Sequence, residues 1–377
     1  MMKKFLLIAG FAESVTNFRW DLICAIQAKG LEVHIAAPEI TKDAPTRDKL
    51  QSHGFIVHDV PMQRTGTNPI EDFKTLLALR KLMQEIRPDY ALAYTIKPVI
   101  YGMLAAKSAG VPHRIALITG LGYAFQDTDN STPKSWIRQI TRRLYKQALS
   151  TTEITFFQNN DDQKLFADLG ITSPSQNTVV VNGSGVNTQK FIPQPLPEGD
   201  EVHFLLIGRL LKDKGVREYV EAARLIKQKY PNAVFNMVGF LDSNPSSVTQ
   251  AELDQWVNDG TVKFWGKLSD VRPALNACHV FVLPSYREGT PRTVLEAMAT
   301  GRAIITTDAP GCRQTVDEGY NGFLVPVQSA EKLASTMARF LENPDLIESM
   351  RQASLETVKT KYDVNIINDF MLQTMKV

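Results

Sequence analysis

The sequence predicts an α/β protein of two doubly wound, parallel-sheet halves joined by one hinge, with ligands expected in the cleft between them. Three observations carry this expectation. The chain has 377 residues, too many for one small core and suited to two domains of roughly 150–200 residues. Short β-branched runs alternate with helical patterns almost throughout, the rhythm of parallel strands joined by crossover helices. The rhythm pauses at "VNTQKFIPQPLPEGDE" (186–201), where three prolines in five residues, a glycine and three acids mark an interdomain link. The expected division is therefore a first domain over 1–185, a link over 186–200 and a second domain over 201–355. The closing helical segment, 356–377, is expected to return to the first domain.

The elements follow in order. "KFLLIAG" reads as a first buried strand. The start "MMKKFLLIAGFAES" only mimics a signal peptide: its apolar run, Phe5 to Ala12, is short, stops at Glu13 and lacks a cleavage site. An amphipathic stretch from Val15 to Lys29 ends at Gly30. "LEVHIAA" and "FIVHDV" are strands, then comes a helix over about Pro69 to Ile86 and the strand "DYALAY". A helix near Val99–Ala109, "RIALIT", a helix near Lys134–Leu149 and "EITFFQ" complete the first half. The second half runs "VHFLLIG", a helix over about Lys214–Tyr230, "AVFNMVG", "TVKFWG", "HVFVLP", a helix from Pro291 closed by Gly301, and "AIITT". Ligands in such sheets collect at the carboxyl ends of the strands.

Composition narrows the class. Apolar content of 44% with 22% charge is ordinary for a soluble globular protein. No run of eighteen apolar residues offers a membrane span. Cys24, Cys278 and Cys312 lie far apart, forming neither a disulfide framework nor a metal-ligand spacing, and a reducing cytoplasm fits. The six histidines show no metal-binding pairing, and nothing points to nucleic acid. Residues 1–190 hold 22 Lys and Arg against 17 Asp and Glu, and the remainder 20 against 23; the first half is modestly basic and suits an anionic neighbour.

Four stretches can carry chemistry. In "REGTPRTVLEAMATG", Thr290 is placed to cap a helix with Pro291 at its first position. Glu288 then sits at the helix mouth, where free N–H groups favour phosphate or sugar oxygens, and Glu296 lies more than a turn further in. The two acids can read separate polyhydroxyl parts of one long ligand; alternatively Glu296 pairs with Arg292 and Glu288 is a solvated loop acid. In "LLIGRLLKDKGVREY", Arg209 and Lys214 bracket a strand–helix turn and suit a diphosphate; otherwise they are two exposed bases. "DTD" at Asp127–Asp129 is the type of pair that holds a divalent metal, or an ordinary surface turn, which is the reading taken. "SWIRQITRRLYKQAL" sets apolar Trp136, Ile137, Ile140 and Leu144 against basic Arg138, Arg142, Arg143 and Lys146. It reads as a contact with an anionic membrane surface or as a helix packed on the sheet with a solvated basic face.

Together these residues resemble the family 4 retaining glycosyltransferases of the GT-B fold, in which two Rossmann-like domains face across a cleft. The motifs are "GRLLKDKG", "VGF" (238–240), "FWG" (264–266), "LPSYREGTPRTVLEAMATGRAIITTDAPGCRQTV", "GYNGFLVP" and "GVNTQKFIP". The first-half stretch "TIKPVIYGMLAAKSAGVPHRIALITGLGYAF" is similar to a bacterial subgroup that extends undecaprenyl-diphosphate-linked saccharides for O-antigen, capsule or protein glycosylation. Within it, the resemblance is nearest to enzymes adding N-acetylgalactosamine or a related residue from a UDP-sugar.

The resemblance implies that Arg209 and Lys214 hold the donor diphosphate without a metal or other cofactor, that Glu296 accepts from the ribose hydroxyls, and that Glu288 with Gly289 and Thr290 binds the transferred sugar. Gly208, Gly239, Gly266 and Lys267 would complete the donor site; catalysis would rest on Glu288, Arg209 and Lys214. Gly10, Phe11, Lys97, Pro98, Thr119, Gly120, Leu121 and Gly122 would face the acceptor, a polyprenyl-diphosphate saccharide, placing the protein peripherally on the cytoplasmic face of the inner membrane. Two positions depart from the family: Thr119 stands where many members have histidine, and Asn187 where the hinge has aspartate. A UDP-sugar epimerase of the same architecture and a non-catalytic sugar-nucleotide-binding subunit are the alternative readings.

Overall fold

The computed structural model describes residues 2–63, 68–121, 135–242 and 244–377, and the chain divides into two compact units. The first comprises Met1–Ser184 with Ile367–Val377, the second Gly185–Ile366.

The first unit is built on a seven-stranded sheet: β1 (Lys4–Ile8), β2 (Glu32–Ala37), β3 (Ile56–Asp59), β4 (Tyr90–Tyr94), β5 (His113–Ile118), β6 (Ile154–Phe157) and β7 (Thr178–Val180). Their order is β3-β2-β1-β4-β5-β6-β7, and each neighbouring pair is parallel. Alternation along β1 sends Phe5 and Leu7 to one face and Leu6 and Ile8 to the other, as the two-residue period of a strand requires. Helices α1 (Glu13–Phe18), α2 (Trp20–Ala28) and α3 (Ala44–Ser52) contribute to the first of those cores. Helices α4 (Pro69–Ile86), α5 (Ile96–Ser108), α6 (Ser135–Leu149) and α7 (Asn160–Asp168) contribute to the second.

The helix expected over Val15–Lys29 is two helices instead. Arg19, with φ −126° and ψ 2°, separates them, and its guanidinium lies buried 5.1 Å from the Tyr94 ring centre. A second difference concerns α6. Tyr145, Ala148 and Leu149 set which side of this helix is buried, Tyr145 meeting Phe166 edge-on. One and two turns earlier that same stripe passes through Arg142 and Arg138. Arg138 is therefore buried and Arg142 half-buried, while Trp136 and Ile140 face solvent. The expected segregation of an apolar inner side from a basic outer side is not what the helix adopts.

The second unit has a six-stranded parallel sheet of β8 (His203–Ile207), β9 (Val234–Val238), β10 (Lys263–Phe264), β11 (Val280–Leu283), β12 (Ala303–Thr307) and β13 (Gly322–Val325). Its order is β10-β9-β8-β11-β12-β13. Phe204 and Leu206 join a core with α8 (Val216–Lys229), α9 (Gln250–Asn258) and α12 (Ala330–Glu342). Leu205 and Ile207 join another with α10 (Arg272–Asn276) and α11 (Arg292–Ala299). Helix α13 (Asp345–Thr357) belongs to this unit, and α14 (Val364–Met375) carries Ile367, Met371, Leu372 and Met375 into the core of the first.

The stretch 186–200, read from the sequence as the interdomain link, is packed onto the second unit. Val186 bridges to Asp363, Phe191 is buried, and the Gln194 N–H donates to Thr300 O at 3.2 Å. Arg302, wholly buried, donates from Nη2 to Pro195 O (3.1 Å) and from Nε to Leu275 O (2.8 Å). His279 Nε2 donates to Pro197 O at 3.2 Å while Nδ1 accepts the His203 N–H at 3.1 Å. The prolines thus do not loosen the segment, because their carbonyls are acceptors for buried donors.

Two expectations about stability follow. Arg302→Ala would leave those carbonyls without their donor and hollow the core, lowering unfolding free energy by about 3 kcal/mol in urea titration. Burial depresses the His279 imidazole from 6.5 to about 4. A depressed folded value means its contribution is full above pH 6.5 and is lost as pH falls towards 4. Thermal melts should therefore show a smaller loss of Tm between pH 6.5 and 4.5 for His279→Asn, whose amide oxygen can still accept the His203 N–H.

Candidate active site at the strand ends of the second unit

Strand order reverses between β8 and β11, so the loops leaving these two neighbours diverge and open a crevice at their carboxyl ends. Gly208 follows β8 and donates its N–H to Val238 O at 3.1 Å; Gly239 follows β9 and donates to Gly266 O at 3.0 Å. A Cβ on Gly239 would lie 2.0 Å from Gly208 O, so only glycine lets these strand ends approach so closely. Phe240 and Trp265 stand partly exposed beside them, with Lys267 Nζ 5.1 Å from the Phe240 ring centre and Trp265 Nε1 donating to Asn236 Oδ1 at 3.0 Å.

Lys214 closes a single 3-10 turn, Lys212–Lys214, that leads through Gly215 into α8. Gly215 has φ +67°, and a Cβ there would meet Pro284 O at 2.1 Å. The loop after β8 is thereby pressed against the end of β11, and the Tyr286 N–H donates to Asp213 O at 2.8 Å. The result is a direct, mostly buried ion pair between Lys214 Nζ and Glu288 Oε1. The Glu288 backbone is held in turn: its N–H donates to Pro310 O at 2.9 Å, and a Cβ on Gly311 would lie 2.1 Å from Glu288 O. Gly289 is buried behind it and Thr290 half-buried.

The helix after this loop starts later than expected. Pro291, with φ −71° and ψ 107°, is the N-cap itself, no side chain caps the turn, and Arg292 is the first helical residue. An N-cap needs extended backbone, which this proline adopts, so Thr290 lies one position too early. At the other end Gly301, at φ +76°, follows the C-cap Thr300; Gly301 N–H donates to Met298 O and Arg302 N–H to Ala297 O, the doubled closure typical of a left-handed terminus.

Glu296 is buried within α11, and Arg292 Nε donates to its Oε1 at 2.9 Å. Burial raises its carboxyl pKa, with Arg292 pulling the other way. Arg209 Nη1 meets Asp242 Oδ2 at 3.2 Å. Asp242 is fixed by accepting the Asn244 N–H at 2.9 Å and by donating its own N–H to Ser247 Oγ at 3.1 Å. Lys214 and Glu288 are thus brought together directly, whereas Arg209 and Glu296 each take a partner of their own. Sequence reasoning missed Asp242: its loop has no periodicity, and only the strand register sets it beside Arg209.

In the first unit the expected acceptor residues separate. Gly10 and Phe11 follow β1 and line a cavity of about 830 Å³. Ser14 Oγ holds that loop, donating to Phe11 O at 2.6 Å and lying 2.6 Å from the Tyr94 hydroxyl. Glu13, Glu39, Asp43 and Glu71 also line the cavity, so it suits hydroxyl groups better than phosphate. Lys97, next to Pro98 on α5, pairs with Asp72 at 2.7 Å in a mostly buried contact, and Tyr101 donates to the same carboxylate at 2.8 Å. Thr119, Gly120 and Leu121 follow β5 and do not line the cavity. Gly122 and the Asp127–Asp129 pair lie outside the described residues. Among the described residues no three His, Cys, Asp or Glu side chains converge as a metal-holding group.

Residues 187–357 match the glycosyl transferases group 1 family and residues 4–159 the glycosyl transferase 4-like family. The chain is 31% identical over 367 residues to the N,N'-diacetylbacillosaminyl-diphospho-undecaprenol alpha-1,3-N-acetylgalactosaminyltransferase of Campylobacter jejuni, covering 94% of this chain and 93% of that one. It is 27% identical over 300 residues to the UDP-Gal:alpha-D-GlcNAc-diphosphoundecaprenol alpha-1,3-galactosyltransferase of Escherichia coli, covering 75% and 74%. In fold it is similar to the crystal structure of Anabaena Alr3699/HepE in complex with UDP, with TM-score 0.78 at 18% identity over 99% of both chains. The sucrose-phosphate synthase of Thermosynechococcus elongatus is similar too, with TM-score 0.80 at 18% identity over 99% and 98%. The strand-end site therefore stands in a GT-B fold, and the chain belongs to the group 1 and 4-like family of retaining glycosyltransferases.

Proposed function

We propose that the protein transfers a hexose or N-acetylhexosamine, with retention, from a UDP-sugar to a polyprenyl-diphosphate-linked saccharide during assembly of a bacterial surface polysaccharide or glycan. The observation that carries this reading is the Lys214–Glu288 pair, held by backbone contacts at the strand-order reversal. The Campylobacter jejuni and Escherichia coli relatives, both named for undecaprenol-linked acceptors, support the acceptor class, and the UDP named with the Anabaena structure supports the donor.

In the resting site Arg209, Lys214 and Arg292 are each paired with a neighbouring acid. A donor diphosphate exchanges these partners. Lys214 turns from Glu288 to a phosphate oxygen, and Arg209, whose side chain is 40% exposed, adds its remaining N–H donors. Glu288, released, accepts from hydroxyls of the transferred sugar, and Glu296 accepts from the ribose. As the bond between the anomeric carbon and the UDP oxygen breaks, charge develops on the diphosphate, where Arg209 and Lys214 are already placed. The acceptor hydroxyl attacks from the same face and its proton passes to the leaving phosphate. This route asks nothing of Thr119, which has no acid–base chemistry to offer near pH 7, and keeps Glu288 a binding carboxylate. Gly10 and Phe11 border the acidic cavity that takes acceptor hydroxyls.

Among the described residues no helix is long and apolar enough to cross a membrane. A lipid-borne acceptor therefore asks for peripheral attachment, on the cytoplasmic face of the inner membrane. Transfer from UDP-sugars to a short-prenyl diphosphate saccharide, followed by chromatography, tests the whole reading. Arg209→Ala and Lys214→Ala should each lower kcat/KM about 100- to 1,000-fold, the loss expected for one preorganised contact to a developing charge. Wild-type rates in both variants would refute it.

A further inference from the structure

We propose that the outer face of the α4–α5–α6 layer of the first unit is a docking surface for an anionic lipid bilayer. The proposal rests on the membrane part of the function above and names where contact is made. The three helices lie side by side on one face of the sheet, α5 between α4 and α6. On α4, Ile70, Phe73 and Leu77 recur at the spacing of one helical stripe, 67%, 59% and 46% exposed; on α6, Trp136 and Ile140 do the same, 59% and 46% exposed. All five sit in the N-terminal halves of their helices. In a parallel α/β layer that end follows the carboxyl ends of the strands, where the acceptor loops also lie. With neighbouring helices typically 8–10 Å apart, the two apolar ridges stand roughly 16–20 Å from each other, so one flat surface can meet both.

The charge around the ridges decides what that surface is. The three helices carry nine Lys and Arg against three acids, none of the acids on α5 or α6. Arg80, Lys107, Arg143 and Lys146 are exposed and enter no ion pair among the described residues. Arg80 and Arg143 continue the two apolar stripes, three residues after Leu77 and Ile140, and apolar ridges prolonged by unneutralised bases match the boundary of a bilayer that carries anionic headgroups. A second copy of this chain on the same face would set like charges against each other.

The test is partition of the full chain onto phosphatidylglycerol-containing vesicles and onto pure phosphatidylcholine vesicles, by sedimentation, with solution mass measured by analytical ultracentrifugation. Wild type should bind the anionic vesicles. Phe73→Ser with Trp136→Ser, and separately Arg143→Glu with Lys146→Glu, should each reduce partition at least tenfold, while melting temperature is unchanged and turnover on a short-prenyl, water-soluble acceptor stays within twofold of wild type. Equal partition of wild type and variants, no partition of wild type, or a dimer that the serine variant dissolves would each overturn the proposal. Vesicle binding without any glycosyl transfer would leave this surface standing and remove the proposed function instead; transfer without vesicle binding would do the reverse.

Discussion

The site depends on one close approach of backbone to backbone. Gly215 lies against the carbonyl of Pro284 so tightly that any Cβ would stand 2.1 Å from the oxygen. This contact joins the loop after β8 to the loop after β11. Gly311 makes the same kind of approach to Glu288 from the other side. Between the two, Lys214 and Glu288 have little freedom to part without a ligand to replace what each loses. A packed interior resists even small displacements, so the geometry of the charged pair is inherited from the sheet and not from the flexibility of two long side chains.

That inheritance explains why the resting site is electrically quiet. Lys214 with Glu288, Arg209 with Asp242 and Arg292 with Glu296 keep charged groups together in a partly buried crevice, where an unpaired charge would be costly. Breaking such pairs is expensive unless the incoming molecule offers equal partners at the same time. A nucleotide diphosphate joined to a sugar does so: it brings negative charge for the cations and hydroxyl donors for the carboxylates. Under the proposed function, selectivity for such a ligand over a simple phosphate would arise from the need to satisfy both members of each pair.

Much of the fold was legible because it rests on local rules. The strand "VFVL" is apolar throughout and "HFLLI" is apolar after its first residue, and a helix over Pro69–Ile86 was readable from its starting proline and its period. Arg209, Lys214, Glu288 and Glu296 were legible as a motif, and the alternative partner of Glu296, Arg292, could be read from the four-residue spacing. Other features depend on contacts distant in sequence. The 186–200 stretch looked like a hinge from its prolines, yet buried donors on Arg302 and His279 fasten it. The orientation of α6 followed from Tyr145 and Leu149, not from the distribution of its arginines. Asp242 became visible only when strand register placed its loop beside Arg209.

The central claim is that Glu288 occupies Lys214 until a diphosphate takes its place. Calorimetric titration of UDP into wild type, Lys214→Ala, Glu288→Gln and the double variant tests it most directly. Removing the lysine should weaken UDP binding at least tenfold in either background, whereas Glu288→Gln alone should leave binding equal to wild type or tighter, because the competitor for the lysine is gone. If Glu288→Gln weakens UDP binding as much as Lys214→Ala does, the exchange of partners described here is contradicted.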